Sequence, residues 1–305
     1  MELHIILNDH AGNGRASKKY AELQRALKTS YTLHRTSHPK HATELVSALA
    51  KKHTHCLCVI LGGDGTIHEA IQSAIYGDIV IGAMNAGSGN DFGRGFPIFQ
   101  NAAEIDAYVE NPLVERRDAG LVKGEDFHTY FMNNAGFGID AEITNRVNHS
   151  KLKKQLNRFG LGKLAYVFIM IDELLHFQPF RLQIERDGKR QQFDRVWVAA
   201  FSNQPYIGGG MKLAPFANTA DGKIELTIVH GVSRWMLLFV FGTIFPGKHI
   251  AFKRFVKQQS VQSIEITLDT PTIGHADGEF IGKRQGNIQA ETIASSWQVA
   301  QKKLD

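Results

Sequence analysis

An uninterrupted apolar run, Cys56-Leu57-Cys58-Val59-Ile60-Leu61, leads directly into Gly62-Gly63-Asp64-Gly65-Thr66 and then into the helix-period segment Ile67 to Tyr76. A run with no polar side chain suits a strand buried on both faces, as in a parallel sheet. The glycines let the backbone turn with positive φ, so that N–H groups can close on phosphate oxygens. Open α/β sheets bind their ligands at this carboxyl end of a strand. Thr66 and Glu69, three apart, read as a capping box that starts the next helix. The positive end of that helix then favours an anion at the loop. Asp64 conflicts with bare phosphate, and a Mg²⁺ ion or its bound water would remove the conflict. Taken alone, the same string is also what a tight strand-to-helix turn requires.

The surrounding pattern fits an α/β domain. Leu3 to Leu7, Tyr31 to Arg35 and Ile79 to Ala83 read as further strands, with Arg15 to Lys28 and His41 to His53 as intervening helices. Such alternation implies a parallel sheet covered on both faces. After about Arg117 the candidates Phe127 to Asn133, Phe180 to Arg186, Phe193 to Asn203, Lys223 to His230 and Ser263 to Asp269 have antiparallel-style spacing and indicate a β-sandwich. Asp140 to Phe177 reads as helical, interrupted near Gly160 and Gly162. The expected division is residues 1–120, an α/β domain, and 121–289, a β-sandwich with a helical insert, with the tail 290–305 packing back on the first. A length of 305 residues exceeds the usual single core and agrees with two domains.

A net charge of +5 favours an anionic partner: a nucleotide, a nucleic acid or an acidic membrane surface. No interleaved basic and aromatic module of the nucleic-acid-binding kind is present, so nucleic acid is not expected. Cys56 and Cys58 point to one face of their strand and read as buried, reduced thiols. The N-terminus lacks a secretion signal, and Trp235 to Phe245 is too short for the ~20 residues of a spanning helix, so a cytoplasmic location is expected. His38 and His41 are close, but no carboxylate or cysteine is expected to complete a metal set.

Three more segments carry chemistry. Gly87-Ser88-Gly89-Asn90-Asp91-Phe92-Gly93-Arg94 offers small residues for close approach to a ligand, hydrogen bonds from Ser88 and Asn90, and a guanidinium fork. Gly12-Asn13-Gly14-Arg15-Ala16-Ser17 nearly matches the dinucleotide fingerprint, but Ser17 replaces its last glycine. The acid expected after the second strand is also absent, since Arg35-Thr36-Ser37 stands there, which disfavours hydride transfer. In Asp277-Gly278-Glu279 the carboxylates lie two apart and would face one way on a regular strand, with Gly278 able to break that regularity.

Together with Asn8, Gly208-Gly209-Gly210-Met211 and Asp221-Gly222, these segments resemble, in order, the catalytic domain of the diacylglycerol kinase family. That resemblance implies an N-terminal phosphofructokinase-like nucleotide domain, a C-terminal β-sandwich, and a site between them for ATP and a lipid alcohol. ATP would be held by Gly62, Gly63, Asp64, Gly65, Thr66, Gly87, Ser88 and Asn90, with Thr36 touching it. A structural Mg²⁺ is implied at Asp221 by side chain and at Asn218 and Lys223 through carbonyls. The general base is implied at Glu279 or Asp277, with Asp64 as a further catalytic carboxylate. Asp9 and Asn85 stand where many relatives have proline, and Asn13 where a lysine is frequent, with Arg15 nearby as a substitute.

Acceptor and partners follow from the same resemblance. Lys151, Lys153, Lys154, Arg158 and Lys163, and the stretch Trp235, Phe239, Phe241, Phe245, Lys248 and Lys253, suit transient contact with an anionic membrane surface. A homodimer is implied by the family alone. The alternatives are an NAD kinase-like enzyme with a soluble acceptor, or a non-catalytic nucleotide or lipid sensor.

Overall fold

A computed structural model describes residues 1–52, 55–87, 89–150, 162–186 and 189–301. Ser88, Gly160 and the basic residues Lys151, Lys153, Lys154 and Arg158 lie outside them, as does the Lys163 side chain. Strands β1 (Glu2–Leu7), β2 (Thr32–Arg35), β3 (Cys56–Gly62) and β4 (Val80–Asn85) pair in parallel in the order β2-β1-β3-β4. Alternation along β3 divides its side chains between two cores. Cys56, Cys58 and Ile60 pack with residues of helices α2 (His41–Lys52) and α3 (Asp64–Gln72). Leu57, Val59 and Leu61 pack with α1 (Arg15–Ala26) and α5 (Ala102–Glu110), which follows the one-turn α4 (Phe92–Gly95). Every residue from Cys56 to Leu61 is fully buried, and each such Leu or Ile contributes about 1.5–3 kcal/mol relative to exposure. Both cysteines are free and buried.

The second half is built from antiparallel strands: β5 (Val114–Lys123), β6 (His128–Phe131), β7 (Asn134–Gly138), β8 (Phe180–Arg186), β9 (Lys189–Ser202), β12 (Ile224–His230), β13 (Val256–Val261), β14 (Ser263–Ala276) and β15 (Glu279–Ala300), with the small pair β10 (Tyr206–Ile207) and β11 (Met211–Lys212). β14 pairs with β8 through Glu265 to Leu268 and with β7 through Gly274 to Ala276. β9 also pairs with both β7 and β8, so the layers fold over a shared core of Phe131, Phe137, Leu182, Phe201, Ile266 and their neighbours. Helices α6 (Ile139–His149), α7 (Gly162–His176) and α8 (Arg234–Ile244) pack against one flank with Trp197, Val229 and Val256.

β15 belongs to both halves. It pairs with β14 and β5 in antiparallel fashion, shifts register between Ile293 and Trp297 with Ser295 at φ 49°, and then sets Gln298 and Val299 beside Val80 and Ile81 of β4 in parallel. Asp118 holds the bend: its buried carboxylate accepts the Ser295 N–H at 2.8 Å and the Gly222 N–H at 2.7 Å.

Candidate active site

The glycine loops converge at the carboxyl ends of the parallel strands. Ala86 N–H donates to the Gly62 carbonyl at 2.7 Å, and a Cβ on Gly63 would stand 3.2 Å from the Gly87 Cα. Gly12, at φ +60°, leaves only 1.9 Å between a hypothetical Cβ and the Ala86 carbonyl oxygen, so the first loop closes on the second through a position only glycine fits. Asn8 donates through Nδ2 to Thr66 Oγ1 at 2.9 Å. Thr36 N–H donates to the Leu7 carbonyl at 2.9 Å, which sets Thr36 beside the end of β1.

α3 begins at Asp64 with Gly63 as a cap that offers no side chain to the first N–H groups. The expected capping box of Thr66 and Glu69 is therefore corrected. Thr66 lies inside the helix, and the Glu69 carboxylate instead accepts the N–H groups of Lys40 at 2.8 Å and Ala42 at 3.4 Å, at the start of α2. The carboxylate of Asp64 has a protein partner: Oδ1 accepts the Phe92 N–H at 3.0 Å, tying the Gly62 to Thr66 loop to the Gly87 to Arg94 loop.

Asp91, not singled out from sequence, continues this tie into the other half of the molecule. Its oxygens accept the Gly209 N–H, both at 2.9 Å, and Oδ1 also receives Arg94 Nη1 at 3.0 Å. Burial pushes its carboxyl upward and the nearby Asp64 charge adds to this, against the opposing N–H groups of Gly209 and Gly210 and the Arg94 cation. Gly208, Gly209 and Gly210 all have positive φ, which lets them present N–H groups in this way. Gln204, fully buried, donates through Nε2 to the carbonyl of Asp91 at 3.2 Å and to Asn133 Oδ1 at 3.0 Å.

Asp277 and Gly278 form the two-residue turn between β14 and β15, with φ 50° and 87° and with Ala276 opposite Glu279. An Asp-Gly pair with two positive φ angles is the favoured hairpin turn. The turn breaks the regular strand on which both carboxylates would share a face, at the glycine able to break it. Asp277 points inward: its carboxylate accepts the N–H groups of Met132 and Asn133, each at 2.8 Å, and of Asn134 at 3.1 Å. It also receives His68 Nδ1 at 3.0 Å, from α3. Burial opposes charge on His68, but the hydrogen bond and charge of Asp277, aided by Glu279 and Glu69, outweigh it and raise the imidazole's pKa. Glu279 is exposed, and its Oε1 lies 2.6 Å from where a Cβ on Gly65 would be. Asp64, Gly65 and Glu279 therefore share one locality.

The substitutions of the first loop have partners too. Asp9 pairs with Arg35 and accepts Ser17 Oγ at 2.8 Å; partial burial opposes its charge, but Arg35 and Ser17 hold the carboxyl below its ordinary range. Arg15 Nε donates to the Gly12 carbonyl at 3.0 Å, and Lys19 Nζ donates to the Asn85 carbonyl at 2.8 Å, bringing a cation to the second loop. The amide oxygens of Asn85 and Asn90 are buried without a donor among the described residues.

Asn218, Asp221 and Lys223 lie on one exposed turn, where Asp221 Oδ1 accepts the Lys223 N–H at 3.0 Å and Gly222 takes φ 70°. A carboxylate with two carbonyls is an all-oxygen donor set, which suits Mg²⁺ or Ca²⁺. His38 and His41 are joined by Glu44, with ligand atoms within 4.8 Å of one another, which corrects the expectation that no carboxylate accompanies them. The Ser37 N–H donates to His41 Nδ1 at 3.0 Å, so in the neutral ring Nε2 carries the proton and is set to donate rather than ligate.

An apolar pocket opens beside the Asp277-Gly278 turn, between α6, α7 and α8. Ile143, Met170, Leu174, Leu237 and Phe241 line it, with Asp140 and Thr144 among its few polar residues. Thr144 Cγ2 is 3.8 Å from the Cβ position of Gly278, one residue before Glu279. Asp140 Oδ2 pairs with the buried His275 Nε2 at 3.2 Å.

The family model described as the diacylglycerol kinase catalytic domain matches residues 2–120, and that of the YegS C-terminal NAD kinase beta sandwich-like domain matches 133–294. The Bacillus subtilis protein YtlR is 30% identical over 301 residues, 91% of this chain and 93% of its own. A diacylglycerol kinase of Bacillus subtilis is 30% identical over 292 residues, covering 91% and 92%. The crystal structure of a diacylglycerol kinase from Bacillus anthracis aligns with a TM-score of 0.69 at 16% identity, covering 99% of this chain and 97% of that one, and shares the fold. The chain belongs to the diacylglycerol kinase catalytic-domain family of lipid kinases.

Proposed function

We propose that the protein transfers the γ-phosphate of ATP to the hydroxyl of diacylglycerol or a similar lipid alcohol. The observation that carries this reading is the position of Glu279. Its carboxylate stands against Gly65 of the phosphate-type loop, and the adjoining turn borders the apolar pocket through Thr144. A hydroxyl whose acyl chains occupy that pocket would then meet a carboxylate on one side and a triphosphate on the other.

In this mechanism Gly62 to Thr66 and Gly87 cradle the phosphates with backbone N–H groups and the positive end of α3. Thr36, Ser88 and Asn90 complete the nucleotide contacts, and the orphaned amide oxygens of Asn85 and Asn90 fit ligand donors such as ribose hydroxyls. Glu279 accepts the acceptor's proton as its oxygen bonds to the γ-phosphorus, the bond to the β,γ-bridging oxygen breaks, and ADP leaves. Bound Mg²⁺ would neutralise phosphate charge. The Asn218, Asp221 and Lys223 turn would hold such an ion structurally, steadying the segment that Gly222 anchors to Asp118. Asp64 and Asp277 position these groups without taking the proton, because each already receives backbone N–H donors.

Labelled ATP offered with dispersed diacylglycerols, other long-chain alcohols and NAD tests the proposal. Label is expected in an organic-soluble phosphate and to vanish with Glu279→Gln. Label in NADP alone would establish the soluble-acceptor alternative, and nucleotide binding without transfer to any acceptor would establish the sensor.

A further inference from the structure

Helix α8 is apolar on all sides, yet it lies at the surface. Leu237, Leu238, Phe241 and Ile244 face the pocket, whereas Trp235 and Phe239, four residues apart and so on one face, are 73% and 60% exposed. Phe245, at the end of the helix, is 53% exposed. Arg234 donates to the Leu174 carbonyl and so joins α8 to α7, whose Phe168, Ile171 and Leu175 are also exposed. Both helices thus line the pocket with one face and offer water aromatic and aliphatic side chains on the other, where α7 also carries the acid Asp172, its charge paired with Arg146. Contiguous exposure of this kind marks an interaction surface.

Charge identifies the partner. Between Glu225 and Glu265 the chain contains no Asp or Glu, but it has Arg234, Lys248, Lys253, Arg254 and Lys257. Lys248, Lys253, Arg254 and Lys257 are all exposed. At 11 residues α8 cannot span a bilayer, and no helix of the described residues is long and apolar enough to do so. Aromatic side chains flanked by cations suit a helix lying in the headgroup region of an anionic membrane.

We infer that the outer face of α8, supported by α7, docks on an anionic lipid bilayer, so that one helix has a face in the membrane and a face in the acyl pocket. This rests on the lipid-acceptor reading of that pocket. A substrate would then pass from bilayer to site along α8 without crossing water.

The three tryptophans allow a direct test, since Trp197 and Trp297 are 1% and 0% exposed and only Trp235 is free to report. The full chain, without ATP, is mixed with vesicles of phosphatidylcholine alone or with phosphatidylglycerol, and cosedimentation and tryptophan emission are followed. A blue shift confined to the anionic vesicles is expected, and it should be lost in Trp235→Phe. Trp235→Glu/Phe239→Glu should weaken vesicle binding at least about tenfold while retaining phosphorylation of a short-chain, monomeric acceptor. Lys248→Glu/Lys253→Glu, which leaves the apolar face intact, should weaken binding most at low salt. Undiminished binding by the double glutamate variant, or unmoved Trp235 emission on bound protein, overturns the inference. So does a change in oligomeric state with vesicle binding intact, which would make the face a contact between copies. Vesicle binding by a protein that phosphorylates no lipid upholds the docking face and removes the kinase reading instead.

Discussion

The carboxylate of Asp277 receives three backbone N–H groups and the imidazole of His68, whereas that of Glu279, two residues on, faces the space beside Gly65. This difference makes the two residues separable by substitution. Asp277→Asn removes a buried charge from a charged partner and replaces an acceptor with an amide donor facing N–H groups, so a loss of about 3–5 kcal/mol is expected. Glu279→Gln alters an exposed group, so stability should stay within about 0.5 kcal/mol while kcat falls at least about 100-fold. Chemical denaturation and initial rates on the two proteins check this; an Asp277→Asn enzyme that is stable but inactive would reverse the assignment. The sequence brings both carboxylates to notice but does not separate them. The donors to Asp277 are more than 140 residues away in the chain, and no local pattern announces them. The Asp-Gly dipeptide, by contrast, is a local hairpin signal available from sequence.

Among the elements, those that alternate apolar strand with amphipathic helix are legible. β1, β2, β3 and β4 fall within two residues of their expected bounds; β1, β3 and β4 are short, largely apolar runs that a glycine or polar turn ends, whereas β2, Thr32-Leu33-His34-Arg35, is mostly polar and is legible from its place between two helix-period segments. β7 and β15 escape the reading for an equally physical reason. Asn134-Ala-Gly-Phe-Gly and Glu279-Phe-Ile-Gly-Lys-Arg-Gln-Gly interrupt alternation with glycines, and their strand state comes from partners supplied by the rest of the fold. The glycine loops show how a legible motif can hide its reason. Gly12 is needed for its positive φ and for the Ala86 carbonyl pressed against it, while Gly14, also at positive φ, has nothing within 4 Å of a Cβ. Gly14→Ala should therefore cost only about 1–2 kcal/mol, the left-handed penalty. Gly12→Ala adds a clash with backbone that cannot turn aside, so it should destabilise more and raise the KM for ATP by spreading the two loops. Thermal melts paired with nucleotide titrations distinguish these outcomes; equal behaviour of the two variants would sink the account.

Across the whole molecule, the parallel sheet and the antiparallel half are joined by β15, by the Asp91 carboxylate on Gly209, and by the buried pair of His68 and Asp277. The last of these makes the junction sensitive to pH. The pKa of His68 is raised in the folded protein, so the fold binds its proton more tightly than the unfolded chain does. The stabilisation is complete below the unfolded value of about 6.5 and is lost as pH rises through the higher folded value. The expected result is a melting temperature that declines over this interval upward from about pH 6.5, as imidazolium gives way to imidazole beside a carboxylate. His68→Asn keeps a side-chain donor but cannot carry the charge, so its melting temperature should lose this slope and converge on that of the wild type at alkaline pH. Because His68 sits on α3, directly after the Gly62 to Thr66 loop, and Asp277 directly precedes Gly278 and Glu279, loosening the pair should also widen the space between Gly65 and Glu279. The fall in kcat should then follow the same interval as the fall in stability and be absent from His68→Asn, whose rate should be low and level. A wild-type slope that survives in the variant would place the titrating group elsewhere.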